Sequence, residues 1–211
     1  MATIRISDYQ FIQELEKVSQ AYFTMADLEK IFNRSRKSLT VSIHRLVKRG
    51  ALVRLSRGIF QTKSQTAQLE HVANQMYYPS YLSFESALAR HGILSQQPYA
   101  LTFATTKRSK KLLLGDQEVQ FRQLDQKYYF GYTQTPLGAL AEPEKAIIDQ
   151  LYLVDRGLAY SEVGEWSLVG ISTEKLLSYA QAFSKSLQRR VEALERYYMI
   201  PFAHNNVCIV K

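Results

Sequence analysis

The segment of residues 24–61 constrains the fold most, because it contains two helix starts, a basic helix and a glycine-centred turn in close succession. Thr24 is followed three positions later by Asp27, which is the pattern of a helix-capping box. Helically spaced apolar residues then predict a short helix from 25 to about 31. The letters FNRS predict a turn, because asparagine tolerates the left-handed conformation and Ser35 can cap the helix that follows.

The next predicted helix runs to Arg49 and is closed by Gly50, the residue type that most easily turns left-handed. Its apolar residues form one stripe at positions i, i+4, i+7 and i+8, namely Leu39, Ile43, Leu46 and Val47. Two β-like runs, ALVRL and GIF, follow on either side of SRG. They predict a hairpin in which Gly58 supplies the positive φ of the turn.

A further helix precedes this segment. Ser7 and Gln10 have capping-box spacing, and Phe11, Leu15 and Val18 recur with helical spacing, which predicts a helix over 8–19. Three helices followed by a two-stranded ribbon predict a winged helix-turn-helix, which we assign to residues 1–62. The polar letters QTKSQTAQ place the domain boundary near residue 63.

Residues 63–211 mix helical and strand-like patterns. YLSFESALARHG predicts a helix, YALTFATT a strand and KRSKK a basic loop, while EVQFRQL and KYYFGYT predict two more strands. EPEKAIIDQLYLVDRG, STEKLLSYAQAF and SLQRRVEALERYYM predict helices, and NNVCIV a last strand. The fold class is therefore α+β, with an N-terminal winged helix-turn-helix followed by a mixed α+β C-terminal domain.

Charge is concentrated in the first of these domains. The formal net charge is +8, and residues 24–61 hold nine Lys and Arg against two acidic residues. Such an excess is typical of proteins that bind phosphate-rich partners.

The basic helix has the shape and charge to lie in a major groove, with its first turn towards the bases. Arg36 and Lys37 lie in that turn, where a cation is unfavourable against the helix dipole unless an anion compensates it. They can donate to guanine O6 and N7, whereas Thr40 and Val41 can contact a thymine methyl. We expect the other basic residues to bind phosphates or the adjacent minor groove. The predicted DNA-binding set is Arg34, Ser35, Arg36, Lys37, Thr40, Val41, His44, Lys48, Arg49, Arg54 and Arg57.

The sequence predicts neither a cofactor nor a metal site. The single cysteine, Cys208, cannot form an internal disulfide and is interpreted as a small buried hydrophobe, and the histidines have no zinc-ligand spacing. The first letters, MATIRISDYQ, lack the features of a secretory signal, and no apolar run approaches the roughly 18 residues needed to cross a bilayer. We therefore expect a cytoplasmic protein that does not enter a membrane.

Catalysis is not expected from the second half. It has no glycine-rich phosphate loop, no Gly-x-Ser-x-Gly elbow and no His-Glu-x-x-His. GDQEVQ resembles the acidic start of a nuclease strand, but Gln120 stands where such a metal site needs a lysine after Glu118. Glu142, Glu144 and Asp149 lie on one predicted helix, where they are most simply surface carboxylates.

An alternative function is that of a winged-helix regulator or adaptor that binds protein partners, because the same hydrophobic pattern occurs in protein-binding winged helices. A DNA reader loses affinity steeply as salt rises, since each neutralised phosphate releases counterions. An adaptor shows little such dependence on DNA.

Three segments in order resemble the AbiEi-type antitoxin family. YFTMADLEKIFNRSRKSLTVSIHRLVKRGALVRLSRGIF is similar to the family's N-terminal winged-helix domain, which opens with FT..DL and ends with L.krG.L.rl.rG.y. SYLSFESALARHGIL and ALAEPEKAIIDQLY resemble parts of the family's C-terminal half. The likeness covers most of residues 22–155, and no resemblance is seen beyond Leu158.

The resemblance implies a bacterial antitoxin that represses its own operon by binding inverted repeats in the double-stranded DNA of its promoter. It implies a C-terminal domain associated with cooperative operator binding and with counteracting a nucleotidyltransferase toxin, with or without direct contact. Family members are associated with phage-defence abortive infection and with plasmid or genomic-island maintenance. Cooperative monomers and a dimer both fit paired half-sites.

Matched by position, the resemblance places DNA contacts on the basic helix and the wing. In the C-terminal half no functional residue is matched, and only the loop formed by Lys107, Arg108, Lys110 and Lys111 is notable for its charge. Two interpretations of that loop stay open, an extension of the phosphate footprint and an ordinary exposed loop.

Overall fold

The computed structural model describes residues 7–18, 20–65, 69–160 and 163–199, and it confirms the α+β class. The elements of its N-terminal part are α1 (Asp8–Glu16), β1 (Phe23–Thr24), α2 (Met25–Phe32), α3 (Arg36–Lys48), β2 (Leu52–Ser56) and β3 (Ile59–Thr62). The strands form an antiparallel sheet in the order β1-β3-β2. These helices and this sheet make up the predicted winged helix-turn-helix.

Local sequence signals account for the helix starts. The Ser7 hydroxyl accepts a hydrogen bond from the Gln10 backbone N–H, and the Gln10 side chain accepts one from the Ser7 N–H, so the predicted capping box is present. Thr24 and Asp27 form the same reciprocal pair at the start of α2. The helix α1 ends at Glu16, earlier than predicted, and the predicted end at residue 19 lies outside the described residues.

The second half contains a mixed sheet with helices packed against it. Its elements are α4 (Leu69–Met76), β4 (Ser80–Leu82), α5 (Phe84–Arg90), β5 (Leu101–Thr105), β6 (Lys110–Leu114), β7 (Gln117–Gln123), β8 (Tyr132–Thr135), β9 (Gly138–Ala141), α6 (Pro143–Asp155), α7 (Thr173–Ala180) and α8 (Lys185–Met199). Short 3-10 helices lie at Lys63–Gln65, Gln126–Tyr128 and Val163–Glu165. In the described chain the strand order is β6-β7-β5-β4-β9-β8, with β4–β9 and β5–β7 parallel.

The buried side chains form several clusters, and one of them contains residues from both halves of the chain. One cluster lies within the winged helix and includes Phe23 and Leu46, and another lies around α6 in the second half. A shared cluster brings Leu55 of the wing against Leu114 and Phe121 of the large sheet. The winged helix therefore packs against the sheet through apolar side chains. The division into residues 1–62 and 63–211 stays a prediction.

Two of the predicted elements have a different secondary structure, and β1, α4, β6 and β9 were not predicted. The pattern YLSFESALARHG predicts one helix, but Ser80–Leu82 is a strand between β5 and β9, and the helix begins at Phe84. The pattern KYYFGYT predicts a strand, but the segment starts in a 3-10 helix, because the buried Tyr128 ring stacks on Phe183 with centroids 4.2 Å apart. Both errors arise from tertiary contacts that a short apolar pattern does not reveal.

Three other predictions concern segment ends and membranes. Lys110 and Lys111 belong to β6, so only the first part of KRSKK is a loop. The predicted strand NNVCIV, with Cys208, lies outside the described residues. Within the described ranges, no helix combines the length and the apolar character that crossing a bilayer requires.

Candidate nucleic-acid interface

The turn between α2 and α3 sets the direction of the basic helix. Asn33 ends α2 in the left-handed conformation with φ 45°, as predicted, and Ser35 precedes the first residue of α3. The Ser35 side chain is exposed and makes no capping hydrogen bond. Burial of Leu39, Ile43 and Leu46 fixes the rotation of α3 about its axis. The opposite face of the helix therefore points to solvent.

That outward face of α3 carries the predicted polar and basic side chains. Its first turn holds no acidic residue, so nothing there offsets the positive end of the helix dipole. The Thr40 hydroxyl donates a hydrogen bond to the Arg36 carbonyl oxygen at 2.8 Å, and Val41 is 69% exposed. The exposed members of the predicted set on and before α3 are Ser35, Arg36, Lys37, Thr40, Val41, His44, Lys48 and Arg49.

The wing is the hairpin of β2 and β3, and it presents two exposed arginines, Arg54 and Arg57. Gly58 adopts φ 75° at its turn, as the sequence predicts. The Gly58 carbonyl oxygen accepts a hydrogen bond from the Met25 N–H at 3.1 Å. The tip of the wing is thereby tied to the start of α2, so its position relative to α3 is fixed.

The helix and the wing enclose a cleft of about 480 Å³. Its apolar lining comes from the core side of the motif, whereas its polar lining comes from the outward face of α3 and from the wing. The lining residues are Met25, Arg36, Thr40, Ile43, His44, Val47, Arg54, Arg57, Gly58 and Phe60. The structure thus brings five of the sequence-predicted site residues to one concave surface, Arg36, Thr40, His44, Arg54 and Arg57.

Arg49 occupies a different electrostatic environment from the cleft residues. Its guanidinium binds the Asp8 carboxylate of α1, which also accepts hydrogen bonds from Arg45 Nη2 at 2.6 Å and Nε at 3.0 Å. The hydrogen bond from Arg45 is the largest cause that holds the pKa of Asp8 below its ordinary value of 3.8. We call the pairing of Asp8 with Arg45 and Arg49 the Asp8 clamp. The sequence alone did not predict it, although it did place Asp8 in the first turn of α1.

Arg34 lies in the turn before α3 and is half-buried, so it differs from the fully exposed cations. Its backbone N–H donates a hydrogen bond to the Glu29 carbonyl oxygen at 3.3 Å. Arg34 is not among the residues that line the cleft.

Of the three carboxylates predicted to lie on the surface of α6, Asp149 and Glu144 are buried and Glu142 is half-buried, so this prediction was wrong. Asp149 is fully buried, and its carboxylate accepts hydrogen bonds from the Tyr81 and Ser83 hydroxyls at 2.9 and 2.8 Å. Lys145, one helical turn earlier, is also fully buried and forms an ion pair with Asp149. Burial raises the pKa of Asp149 and lowers the pKa of Lys145.

The other two carboxylates lie at the start of the same helix. Glu144 is 5% exposed and accepts a hydrogen bond from the Ser172 N–H at 3.0 Å. Glu142 is half-buried and is bound by the Tyr179 hydroxyl and by Lys175. The pKa of Glu142 is lowered, mainly by the hydrogen bond from Tyr179. These carboxylates are therefore committed to packing contacts between α6 and α7.

The nuclease-like segment places Glu118 and Gln120 on the same face of β7. Gln120 Nε2 donates to Glu118 Oε1 at 2.9 Å, and the Lys111 ammonium lies 3.8 Å from that oxygen. Across the described residues, no group of three or more metal-binding side chains is brought together.

Comparison with known protein families gives a match to the winged-helix part of the chain. Residues 10–63 match the family described as "Transcriptional regulator, AbiEi antitoxin". The match extends from α1 to the end of the wing and includes the whole predicted interface. It supports a DNA-binding antitoxin regulator role and confirms the resemblance of the winged-helix segment. The two resembling segments of the C-terminal half lie outside the match. No curated protein gives a significant match to the chain.

A solved structure resembles both halves together. The crystal structure of RV2827C protein from Mycobacterium tuberculosis has a TM-score of 0.54 and 17% sequence identity to this chain. The likeness covers 92% of this chain and 78% of that chain. At this identity it shows a common fold.

Proposed function

We propose that this chain is a DNA-binding transcriptional repressor that acts as the antitoxin of a bacterial toxin-antitoxin operon in the cytoplasm. It binds inverted repeats in its own promoter and counteracts a nucleotidyltransferase toxin, in a system that serves phage defence by abortive infection. The family match over residues 10–63 supports the regulator part of this proposal. The toxin class and the inverted repeats come from the wider family resemblance.

The observation that carries the proposal is the convergence of α3 and the wing on one cationic cleft. Arg36 reaches the cleft from the helix, and Arg54 and Arg57 reach it from the hairpin. A surface with cations on both sides of a groove matches a duplex, whose phosphates flank the base edges on both sides.

Within this surface the residues have different tasks. Arg36 and Lys37 read guanine edges from the first turn of α3, and Thr40 and Val41 contact thymine methyl groups. The phosphate and minor-groove contacts belong to Arg34, Lys48, Arg49, Arg54 and Arg57. Ser35 and His44 complete the surface as polar contacts beside the helix.

The C-terminal domain contributes cooperativity on the operator or contact with the toxin. Two chains occupy the two halves of the inverted repeat, either as cooperative monomers or as a dimer. No cofactor enters the proposal, because binding alone accounts for repression.

Titration of labelled DNA tests the assignment. We expect Arg36→Ala to lose about 1–3 kcal/mol of binding free energy on the promoter and little on scrambled DNA, because a base contact is lost. Arg57→Ala should weaken binding to both DNAs alike. Lys17→Ala is the matched control, because it removes a cation at the end of α1, outside the cleft. Equal losses on promoter and scrambled DNA for both arginine variants would refute the division of tasks.

The adaptor function is the competing proposal, and the hydrophobic pattern of the motif supports it equally. Salt dependence separates the two functions. Neutralised phosphates give a logarithmic slope of affinity against salt of about −0.9 for each contact. A slope near zero on promoter DNA would favour the adaptor.

A further inference from the structure

A second basic surface lies on the C-terminal half, and we call it the Tyr77 patch, defined as Tyr77, Lys107, Arg108 and Lys110. The ammonium nitrogens of Lys107 and Lys110 lie 5.4 and 5.3 Å from the centroid of the Tyr77 ring. The Tyr77 hydroxyl donates a hydrogen bond to the Arg108 carbonyl oxygen at 2.8 Å. One aromatic side chain therefore contacts the ammonium groups of Lys107 and Lys110 and the backbone of Arg108.

The charge of the Tyr77 patch is uncompensated within the described part of the chain. Lys107, Arg108 and Lys110 are all exposed, and none of them is ion-paired with a carboxylate of the described residues. Lys111 differs, because its ammonium lies 3.8 Å from the Glu118 carboxylate. The two ammonium groups near one ring concentrate positive charge at this surface, and a bound anion would neutralise it.

The patch lies on the sheet face that carries the winged helix. Leu112 and Leu114 of β6 pack in the shared cluster with Leu55 of the wing. Side chains alternate along a strand, so Lys110 projects from the same face as these leucines. Tyr77 also belongs to that face, since its ring packs on Phe121 with centroids 4.7 Å apart.

The distance between the patch and the wing follows from the strand. The turn after Leu114 contacts the wing directly, because the Gly115 N–H donates to the Leu55 carbonyl oxygen at 2.7 Å. From Leu114 back to Lys110 the strand spans about 13 Å at about 3.3 Å per residue. Since a DNA strand advances about 3.4 Å per nucleotide, this span corresponds to about four base pairs.

We propose that the Tyr77 patch binds the sugar-phosphate backbone of the duplex that α3 and the wing contact, beyond the base pairs that they cover. This inference rests on the proposed DNA-binding function and adds a role for the C-terminal half. The patch supplies affinity without sequence preference, because it contacts phosphates alone. The DNA duplex is the occupant that fits the charge of the Tyr77 patch, because it is a polyanion and the wing already holds it next to the patch.

The test uses the full chain and two duplexes, after footprinting has located the operator. One duplex ends where the contacts of α3 and the wing end, and the other extends about ten base pairs further on each side, about one helical turn. Dissociation constants are measured by fluorescence anisotropy between about 50 and 200 mM salt. The variant is Lys107→Gln/Lys110→Gln, and the matched control is Lys111→Gln on the same strand.

We expect the wild-type protein to bind the extended duplex more tightly and with a steeper salt slope than the short one. The double variant should lose this advantage, with a slope on the extended duplex smaller by about two, and should bind the short duplex like the wild type. Lys111→Gln should behave like the wild type on both. If the double variant and the wild type have identical salt slopes on the extended duplex, the inference about the Tyr77 patch is overturned, whereas the proposed DNA-binding function still stands. A wild-type protein that binds neither duplex would overturn the proposed function as well.

Discussion

The backbone N–H of Gly115 donates a hydrogen bond to the carbonyl oxygen of Leu55 at 2.7 Å, which joins the wing to the turn between β6 and β7. The Leu55 side chain is 5% exposed and packs beside Leu114 in the shared cluster. Because β2 is an edge strand of its sheet, this contact also pairs a backbone carbonyl that an open edge would leave unpaired. The position of the wing therefore depends on the C-terminal half.

Truncation of Leu55 tests this dependence. We expect Leu55→Ala to lower the free energy of unfolding by about 2–5 kcal/mol, because it removes buried methyl groups and leaves a cavity. Urea denaturation followed by circular dichroism measures the change. Leu113→Ala is the matched control, since Leu113 is 56% exposed on β6 and its loss should cost less than about 0.5 kcal/mol. Equal midpoints for the two variants would contradict the packing of the wing on the sheet.

The winged helix could be predicted from sequence because its signals are local. Thr24 with Asp27, Asn33 and Gly58 each specify a backbone conformation within a few residues, and each adopts it. The apolar stripe of α3 also fixes which of its faces is outward. Local signals therefore predicted the three helices, the hairpin and the exposed side chains of α3. They missed β1, which adds a third strand to the predicted two-stranded ribbon, and the Ser35 side chain does not make the capping hydrogen bond that the sequence allowed.

Thr24 and Ser35 occupy the N-cap positions of α2 and α3. They lead to a second prediction, which distinguishes an effect on stability from an effect on DNA binding. The Thr24 hydroxyl accepts a hydrogen bond from the Asp27 N–H at 3.2 Å, so Thr24→Ala should cost about 1 kcal/mol of unfolding free energy. Ser35 makes no capping hydrogen bond, so Ser35→Ala should change stability little. If Ser35 contacts DNA, its variant should still weaken promoter binding. Thermal unfolding and anisotropy titration of both variants measure the two effects, and a larger stability loss for Ser35→Ala would contradict the capping assignment.

The buried groups of the C-terminal half could not be predicted, because their partners are distant in sequence. Asp149 and Lys145 share the one-turn spacing of an exposed helical ion pair. The hydroxyls that make their burial tolerable come from Tyr81 and Ser83 on β4 and the residue after it. The spacing on α6 is thus the same for a surface pair and a core pair, and only the tertiary fold distinguishes them.

The Asp8 clamp leads to a third prediction, on DNA affinity. Asp8 binds Arg45 and Arg49, so it withholds cationic charge from the end of α3. We expect Asp8→Asn to increase affinity for promoter and scrambled DNA alike, with a salt slope steeper by about 0.9 for each additional phosphate that the released arginines neutralise. Glu14→Gln is the control, because it breaks an ion pair with Lys17 on the same helix, away from α3. An unchanged slope for Asp8→Asn would contradict the idea that Asp8 withholds these arginines from DNA.

The same carboxylate leads to a pH-dependent prediction. Because the pKa of Asp8 is lowered in the folded protein, its stabilising contribution is complete above the ordinary value of 3.8. The contribution is lost as the pH falls below that value through the lowered pKa. The stability difference between the wild type and Asp8→Asn should therefore be constant near neutral pH and shrink below about pH 4. Thermal unfolding of both proteins across this range measures it, and a difference that grows with acid would contradict the clamp.

The buried pair on α6 supports the last prediction. Lys145→Met should lower the free energy of unfolding by about 3–5 kcal/mol at neutral pH, because Asp149 keeps its charge in the core without a cation. Burial already raises the pKa of Asp149, so the deficit should shrink as the pH falls towards 3.8 and the carboxyl becomes protonated. Lys145→Met/Asp149→Asn should recover at least about 1 kcal/mol over the single variant, since no buried charge remains and the amide oxygen still accepts from Tyr81. Urea denaturation of the three proteins measures these differences, and a double variant less stable than Lys145→Met at neutral pH would refute the charge argument.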